Sequence, residues 1–225
     1  MRFLLDSADR TLLQLALEGF PIVGVTTNPT LLAREHDDWR ESLAAIRAMI
    51  GEDRELHAQV ISPEAATMVA EARVLVDVAG PSTYVKVPMT REGLKAARMM
   101  VEAGRQVTAT AVFSIEQALL AARVGASYVA PYVNRLDEAG RSGSELVAGI
   151  ATAFTAHGIN TKILAASFKR AEQVGDCALA GAYEVTVSWD VLIALVEHPL
   201  TITAVDEFTQ AWLDRYGTIS LRPSP

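Results

Sequence analysis

The chain holds four lysines, at 86, 95, 162 and 169, and one of them sits where a charge is costly. In "TYVKVPMT" (83–90), Lys86 lies between Val85 and Val87 in a segment with the composition of a short strand. Burying an unpaired ammonium costs several kcal/mol, or the group sheds its proton instead. A desolvated amine is a nucleophile suited to Schiff-base formation with a carbonyl compound. A salt bridge to Asp6 is the competing structural explanation. The other three lysines have ordinary settings. Lys95 shares a solvated helix face with Arg91 and Arg98, Lys162 begins a strand, and Lys169 follows one.

An iminium on Lys86 would draw electrons from the adjacent bond, so that a carbon–carbon bond of a ketose can break to an enamine. That chemistry needs a proton shuttle, for which Asp6, Gln59, Tyr132 or a water they hold are candidates. It needs polar side chains for substrate hydroxyls, for which Asn28, Thr110 and Ser167 are candidates. A sugar phosphate would also need a cation, and Arg135 is available.

These residues are scattered in sequence, so the elements must bring them together. Strand patterns fall at 2–6, 22–27, 56–60, 83–87, 106–112, 127–133, 162–167 and 183–188. Helical patterns follow at 11–18, up to 50, at 63–79 with Pro63 in the first turn, at 90–104 and at 114–125. Others start near Ser144, at 170–181 and at 189–198, and a last one spans about 201–217. Eight strand-then-helix units of about 25 residues predict a single-domain (β/α)8 TIM barrel over 1–225 with an extra C-terminal helix. The strands are rich in Val, Ile, Leu and Ala, as parallel strands buried on both faces are. An open doubly wound sheet is the runner-up, but no GxGxxG follows the first strand. Only a Pro-rich tail at 222–225 departs from the pattern.

On a barrel the C-terminal strand ends converge on one mouth. Those ends carry Asp6, Thr26 with Thr27 and Asn28, Gln59, Lys86, Thr108 with Thr110, Tyr132, Asn134 and Arg135, Ser167, and Thr186 with Ser188. Each has a bland alternative: Asp6 or Ser167 as a helix cap, Asn28-Pro29 as a turn, Thr108 and Thr110 as layer fillers. The convergence is the signal.

Composition narrows the classes. The chain has 225 residues, half of them hydrophobic, and a net charge of −7 with no basic run, so no nucleic-acid partner is expected. Asp6 interrupts the N-terminus too early for a signal segment, and no run of about 18 uncharged apolar residues occurs, so no membrane partner is expected. One cysteine, Cys177, reads as a buried hydrophobe in a reducing cytoplasm. His36, His57, His157 and His198 lie apart, so neither a metal site nor a cofactor motif is expected.

Four segments carry a resemblance: "GVTTNPTLL" (24–32), "YVKVPMTREGLKA" (84–96), "ASYVAPYVNRLDEAG" (126–140) and "KILAASFK" (162–169). Together they resemble the transaldolase family, in its short-chain branch. The resemblance implies a class I barrel with the Schiff-base lysine at Lys86. It implies that Asp6, Thr26, Asn28, Thr110, Ser167 and Arg135 line the site, the last two at its phosphate end. Two activities share this scaffold: transfer of a dihydroxyacetone unit between sugar phosphates, and cleavage of fructose 6-phosphate with release of dihydroxyacetone. Transaldolases usually carry Glu and Phe where this chain has Gln59 and Tyr132, and the aldolases carry Gln and Tyr. The resemblance therefore points to the aldolase, with the transaldolase second and a non-catalytic sugar-phosphate-binding barrel a remote third. It also implies a homo-oligomer, pentamer or decamer, in which the C-terminal helix reaches a neighbour. Ser188-Trp189 departs from the usual Pro-Leu of the family and leaves open whether the indole narrows the mouth or packs on the rim.

Overall fold

A computed structural model describes residues 1–36 and 38–221. Eight parallel strands close into a barrel in sequence order: β1 (Arg2–Asp6), β2 (Ile22–Thr26), β3 (Glu55–Gln59), β4 (Tyr84–Pro88), β5 (Val107–Val112), β6 (Tyr128–Pro131), β7 (Lys162–Ala165) and β8 (Glu184–Val187). Helices wrap them: α1 (Arg10–Gly19), α2 (Pro29–Leu32), α3 (Trp39–Ile50), α4 (Ala65–Ala79), α5 (Arg91–Glu102), α6 (Ile115–Arg123), α7 (Val133–Glu138), α8 (Gly143–Ala156), α9 (Ala171–Leu179), α10 (Trp189–Ala194) and α11 (Pro199–Tyr216). The (β/α)8 expectation holds, and the predicted tail at 222–225 lies outside the described residues.

Several boundaries differ from expectation for local reasons. Asp9, not Asp6, caps α1: its carboxylate accepts from the Thr11 and Leu12 amides at 2.7 and 3.1 Å. Pro63 precedes α4 rather than opening it, because Glu64 is the extended N-cap residue. The sixth strand stops at Pro131, and the unforeseen α7 begins at once with Val133. Ser167 caps nothing; Arg170 is the N-cap residue of α9. Thr90 and Ser114 cap α5 and α6 as expected.

Outward strand faces bury Val, Ile, Leu and Ala against the helices, in one continuous core. Close approach makes small residues necessary at α5: a Cβ on Gly93 would overlap the Pro88 carbonyl, so the helix sits directly on the end of β4.

The barrel interior divides into a floor and a mouth. The first residues of β1, β3, β4, β6, β7 and β8 (Arg2, Glu55, Tyr84, Tyr128, Lys162 and Glu184) gather at the floor. Arg2 bridges Glu55 at 2.7 Å and Glu184 at 2.9 Å. The Tyr128 hydroxyl lies 3.0 Å from both Glu55 oxygens. His57 stacks on Tyr84 at 4.6 Å and sits 2.9 Å from the Thr108 hydroxyl, which ends Thr108's candidacy at the mouth. Burial disfavours the His57 cation, so the imidazole is neutral and can donate from Nε2 to Glu55, 3.3 Å away. Burial, with the Glu55 charge, pushes the Glu184 carboxyl up to about 7. Burial alone would raise Glu55 too, but His57, Tyr128 and Arg2 outweigh it and hold that carboxylate low.

Helix α11 has no buried residue. Phe208 is 71 % exposed and Val205 53 %, so these two apolar side chains stay largely uncovered by the barrel. Among the described residues no helix is long and apolar enough to cross a membrane.

Candidate active site

Lys86 projects from β4 into the barrel and is only 6 % exposed. Its strand partners are Gln59 on β3 and Thr108 on β5. Its Nζ donates to the Thr27 carbonyl at 2.7 Å. The expected competing salt bridge to Asp6 is not formed, although Asp6 is near enough for its charge to favour the ammonium. Burial outweighs that and lowers the Lys86 pKa. A buried amine with one neutral partner is poised to lose its proton.

Above it opens a cavity of about 570 Å³, lined by Asp6, Asn28, Gln59, Lys86, Tyr132, Arg135 and Ser167 among others. Seven of the nine sequence-predicted site residues thus share one mouth. Thr26 and Thr110 do not line it; they lie beneath, 0 % and 1 % exposed, and act through neighbours. The Thr26 hydroxyl donates to Asp6 at 2.6 Å and stands 2.7 Å from the Thr186 hydroxyl. With the Thr26 proton spent on Asp6, Thr186 must donate to Thr26. Asp6 is free of capping duty because Asp9 takes it, so its carboxylate faces the mouth oriented by Thr26. Thr110 donates to the Tyr132 hydroxyl at 3.3 Å, which leaves the Tyr132 proton available for the cavity.

The other groups are positioned by backbone. Asn28 caps α2 through Oδ1, accepting from Thr30 and Leu31 at 3.0 and 3.1 Å. The amide Nδ2 therefore remains to donate. Buried Gln59 Oε1 has no hydrogen-bond partner among the described residues. Tyr132 is held by three links: its N–H donates to the Val112 carbonyl at 3.2 Å, it forms an isolated β-bridge with Ala166 just past β7, and its ring edge meets Phe113 at 5.7 Å. Two non-glycine residues with left-handed backbone sit on the cavity wall, Ala111 (φ 53°) and Ser167 (φ 63°). Ala111 marks the bulge that ends β5 register, and the Ser167 carbonyl accepts the Asn134 amide at 2.8 Å. Such strain costs on the order of 1–3 kcal/mol per residue and concentrates at functional sites.

Arg135 lies over the Tyr132 ring at 5.5 Å and forms no ion pair among the described residues. Arg34 and Lys169 line the same cavity, also without an ion pair among the described residues. Sequence reasoning did not select Arg34, which sits past α2 rather than at a strand end. Three cations at the mouth without ion pairs among the described residues, in a chain of net charge −7, make a local anion-attracting field. Trp189 packs edge-on against Phe20 at 5.9 Å and is absent from the cavity wall, whereas Ser188 lines it. Among the described residues no group of three or more His, Cys, Asp or Glu is arranged to hold a metal ion.

Comparison with known proteins places the chain in a family. The family model described as "Transaldolase/Fructose-6-phosphate aldolase" matches residues 3–218. A "Probable transaldolase" of Geobacillus kaustophilus is 43 % identical over 212 residues, covering 94 % of this chain and 98 % of that one. A "Probable transaldolase 1" of Bacillus cereus is 42 % identical, covering 94 % and 97 %. A "Probable transaldolase" of Alkaliphilus metalliredigens is 42 % identical, covering 94 % and 98 %. With the match spanning the barrel from β1 to α11, the chain belongs to the transaldolase/fructose-6-phosphate aldolase family.

Proposed function

We propose that the chain is a class I enzyme that cleaves fructose 6-phosphate, or a ketose phosphate like it, through an iminium on Lys86. The observation that carries the reading is a buried lysine with a lowered pKa at the base of a polar cavity, hydrogen-bonded among the described residues only to a carbonyl. The neutral amine adds to C2 of the ketose and loses water. The C4 hydroxyl gives its proton to Asp6 as the C3–C4 bond breaks, so glyceraldehyde 3-phosphate leaves and a three-carbon enamine stays on Lys86. Asn28 Nδ2 and Ser167 receive substrate hydroxyls, and Arg135 takes the phosphate, with Ser167 beside it.

The enamine then has two fates. Protonation at C3 and hydrolysis release dihydroxyacetone, which is aldolase activity. Attack on an aldose phosphate is transaldolase activity. The names of the relatives favour transfer. Tyr132, with an unspent hydroxyl proton, and Gln59, with an unpartnered oxygen suited to holding a water, favour release. We read release as a reaction this chain supports alongside or in place of transfer. Fructose 6-phosphate supplied with and without erythrose 4-phosphate decides: steady dihydroxyacetone formation without acceptor supports release, and turnover only with acceptor supports transfer. Binding of the ketose with neither product would favour a non-catalytic sugar-phosphate barrel.

We read the barrel with α11 as one domain acting in the cytoplasm. The exposed apolar residues of α11, Phe208 among them, serve in this reading to join copies into a ring, pentamer or decamer. Light scattering tests it: Phe208→Asp should lower the mass of the particle while leaving the barrel folded, and an unchanged mass contradicts it.

A further inference from the structure

The N-cap residues Asp9, Asn28, Asp38, Thr90, Ser114 and Ser142 each accept a backbone N–H with their side chains. Ser188, of the same residue class and at the N-cap of α10, does not. Its backbone is extended (φ −66°, ψ 163°), and its hydroxyl has no hydrogen-bond partner among the described residues. It lines the mouth cavity together with Lys86 and Asp6. Two residues below on the same inward face, Thr186 spends its hydroxyl on Thr26. Ser188 is therefore the next inward hydroxyl of that wall, half-buried and unspent.

Its place in the barrel gives that hydroxyl a role. In an eight-stranded closed barrel, β8 stands opposite β4, so a sugar condensed on Lys86 and extending across the mouth meets the β8 wall. On either side of β8 lie β1, which carries Asp6, and β7, which leads to Ser167. The carbon atoms between the bond that Asp6 serves and the phosphate end must pass this arc.

We infer that Ser188 is a specificity residue that hydrogen-bonds the hydroxyl next to the aldehyde carbon of the three-carbon aldehyde phosphate, the position that becomes C5 of the ketose. The inference rests on the proposed Lys86 reading and adds a substrate requirement to it. A hydrogen bond of this kind selects for hydroxylated acceptors, since an analogue without the hydroxyl leaves the site's polar group unmatched.

The test pairs two acceptors with dihydroxyacetone as donor: glyceraldehyde 3-phosphate and its deoxy analogue, 3-oxopropyl phosphate. Ser188→Ala should lower kcat/KM for the hydroxylated acceptor about 10-fold and leave the deoxy acceptor within about 2-fold, as expected for one lost neutral hydrogen bond. Ser188→Thr, which keeps a hydroxyl, should restore part of the preference. Because the hydroxyl caps nothing, Tm of the alanine variant should stay within about 1 °C, whereas a capping serine would cost several degrees. Equal losses on both acceptors, or no loss on either, overturn the inference. If wild type forms product with both acceptors and the variants keep its preference, only Ser188 has been misread. If wild type forms no product and no adduct at Lys86, the Schiff-base reading falls with it.

Discussion

Tyr132→Phe separates the two fates of the enamine more cleanly than any other single change. The substitution removes one oxygen and leaves the ring in its contacts with Phe113 and Arg135. In the fold it costs one long hydrogen bond, Thr110 to Tyr132 at 3.3 Å, and leaves the 1 %-exposed Thr110 hydroxyl without its acceptor. That amounts to about 1 kcal/mol, or roughly 2–4 °C of Tm for a chain of this size. The catalytic effect should be larger and one-sided. A positioned proton donor contributes about 100-fold or more to the step it serves, close to 3 kcal/mol of barrel-mouth chemistry. Release needs a proton delivered to carbon. Transfer needs one delivered to the new hydroxyl, for which Asp6, held by Thr26 at 2.6 Å, is the proposed donor. The transfer-to-release ratio should therefore rise by about 100-fold. The assay follows free dihydroxyacetone and the seven-carbon ketose phosphate together, with fructose 6-phosphate as donor and erythrose 4-phosphate as acceptor. If both rates fall in parallel, or neither changes, the proton reaches the enamine by another route and Tyr132 is a wall residue.

Further expectations follow from groups around the site. Burial pushes Glu184 from 4.5 up to about 7, so between those pH values the folded chain holds a proton that the unfolded chain has lost. Stability then falls as pH rises through that window, and Glu184→Gln should flatten the curve of Tm against pH; an unchanged slope would mean that Glu184 is ionised in the fold. Trp189→Ala should cost about 2 kcal/mol through its lost packing on Phe20, with KM values unchanged; a shift in acceptor KM at constant Tm would put the indole in the mouth after all.

The architecture was legible because each strand is a short apolar run closed by a turn, and the units recur eight times. Lys86 was legible because a lysine between two valines on a central strand has one bland role, a salt bridge to Asp6, and in the structure its amine meets the Thr27 carbonyl instead. Adjacent positions were harder. Helix α7 escaped because "VNRLDE" follows Tyr132 with no capping residue or breaker between, so the strand pattern ran on to 133. Thr26 and Thr110 stood at strand ends like the others, and only the three-dimensional structure reveals that their hydroxyls point to Asp6 and Tyr132 beneath the cavity. Asp6 was a plausible cap until Asp9 was seen to do that work. The floor went unread although its signal was present: Arg2, Glu55, Lys162 and Glu184 are each the first residue of a strand, which on a barrel brings opposite charges to one end. Taken singly they look like polar strand edges. The competing explanations for Trp189 differ only in rotamer and neighbour, which spacing does not encode.

The identity of the nucleophile is the claim on which the rest depends. Wild-type protein incubated with dihydroxyacetone, reduced with borohydride and digested with trypsin should yield a three-carbon adduct on Lys86. The modified lysine should resist cleavage, so the adduct should appear in the peptide spanning 74–91. Lys86→Met should give no adduct and no turnover while keeping its fold. An adduct on Lys95, Lys162 or Lys169 with Lys86 unmodified, or turnover persisting in Lys86→Met, would contradict the account.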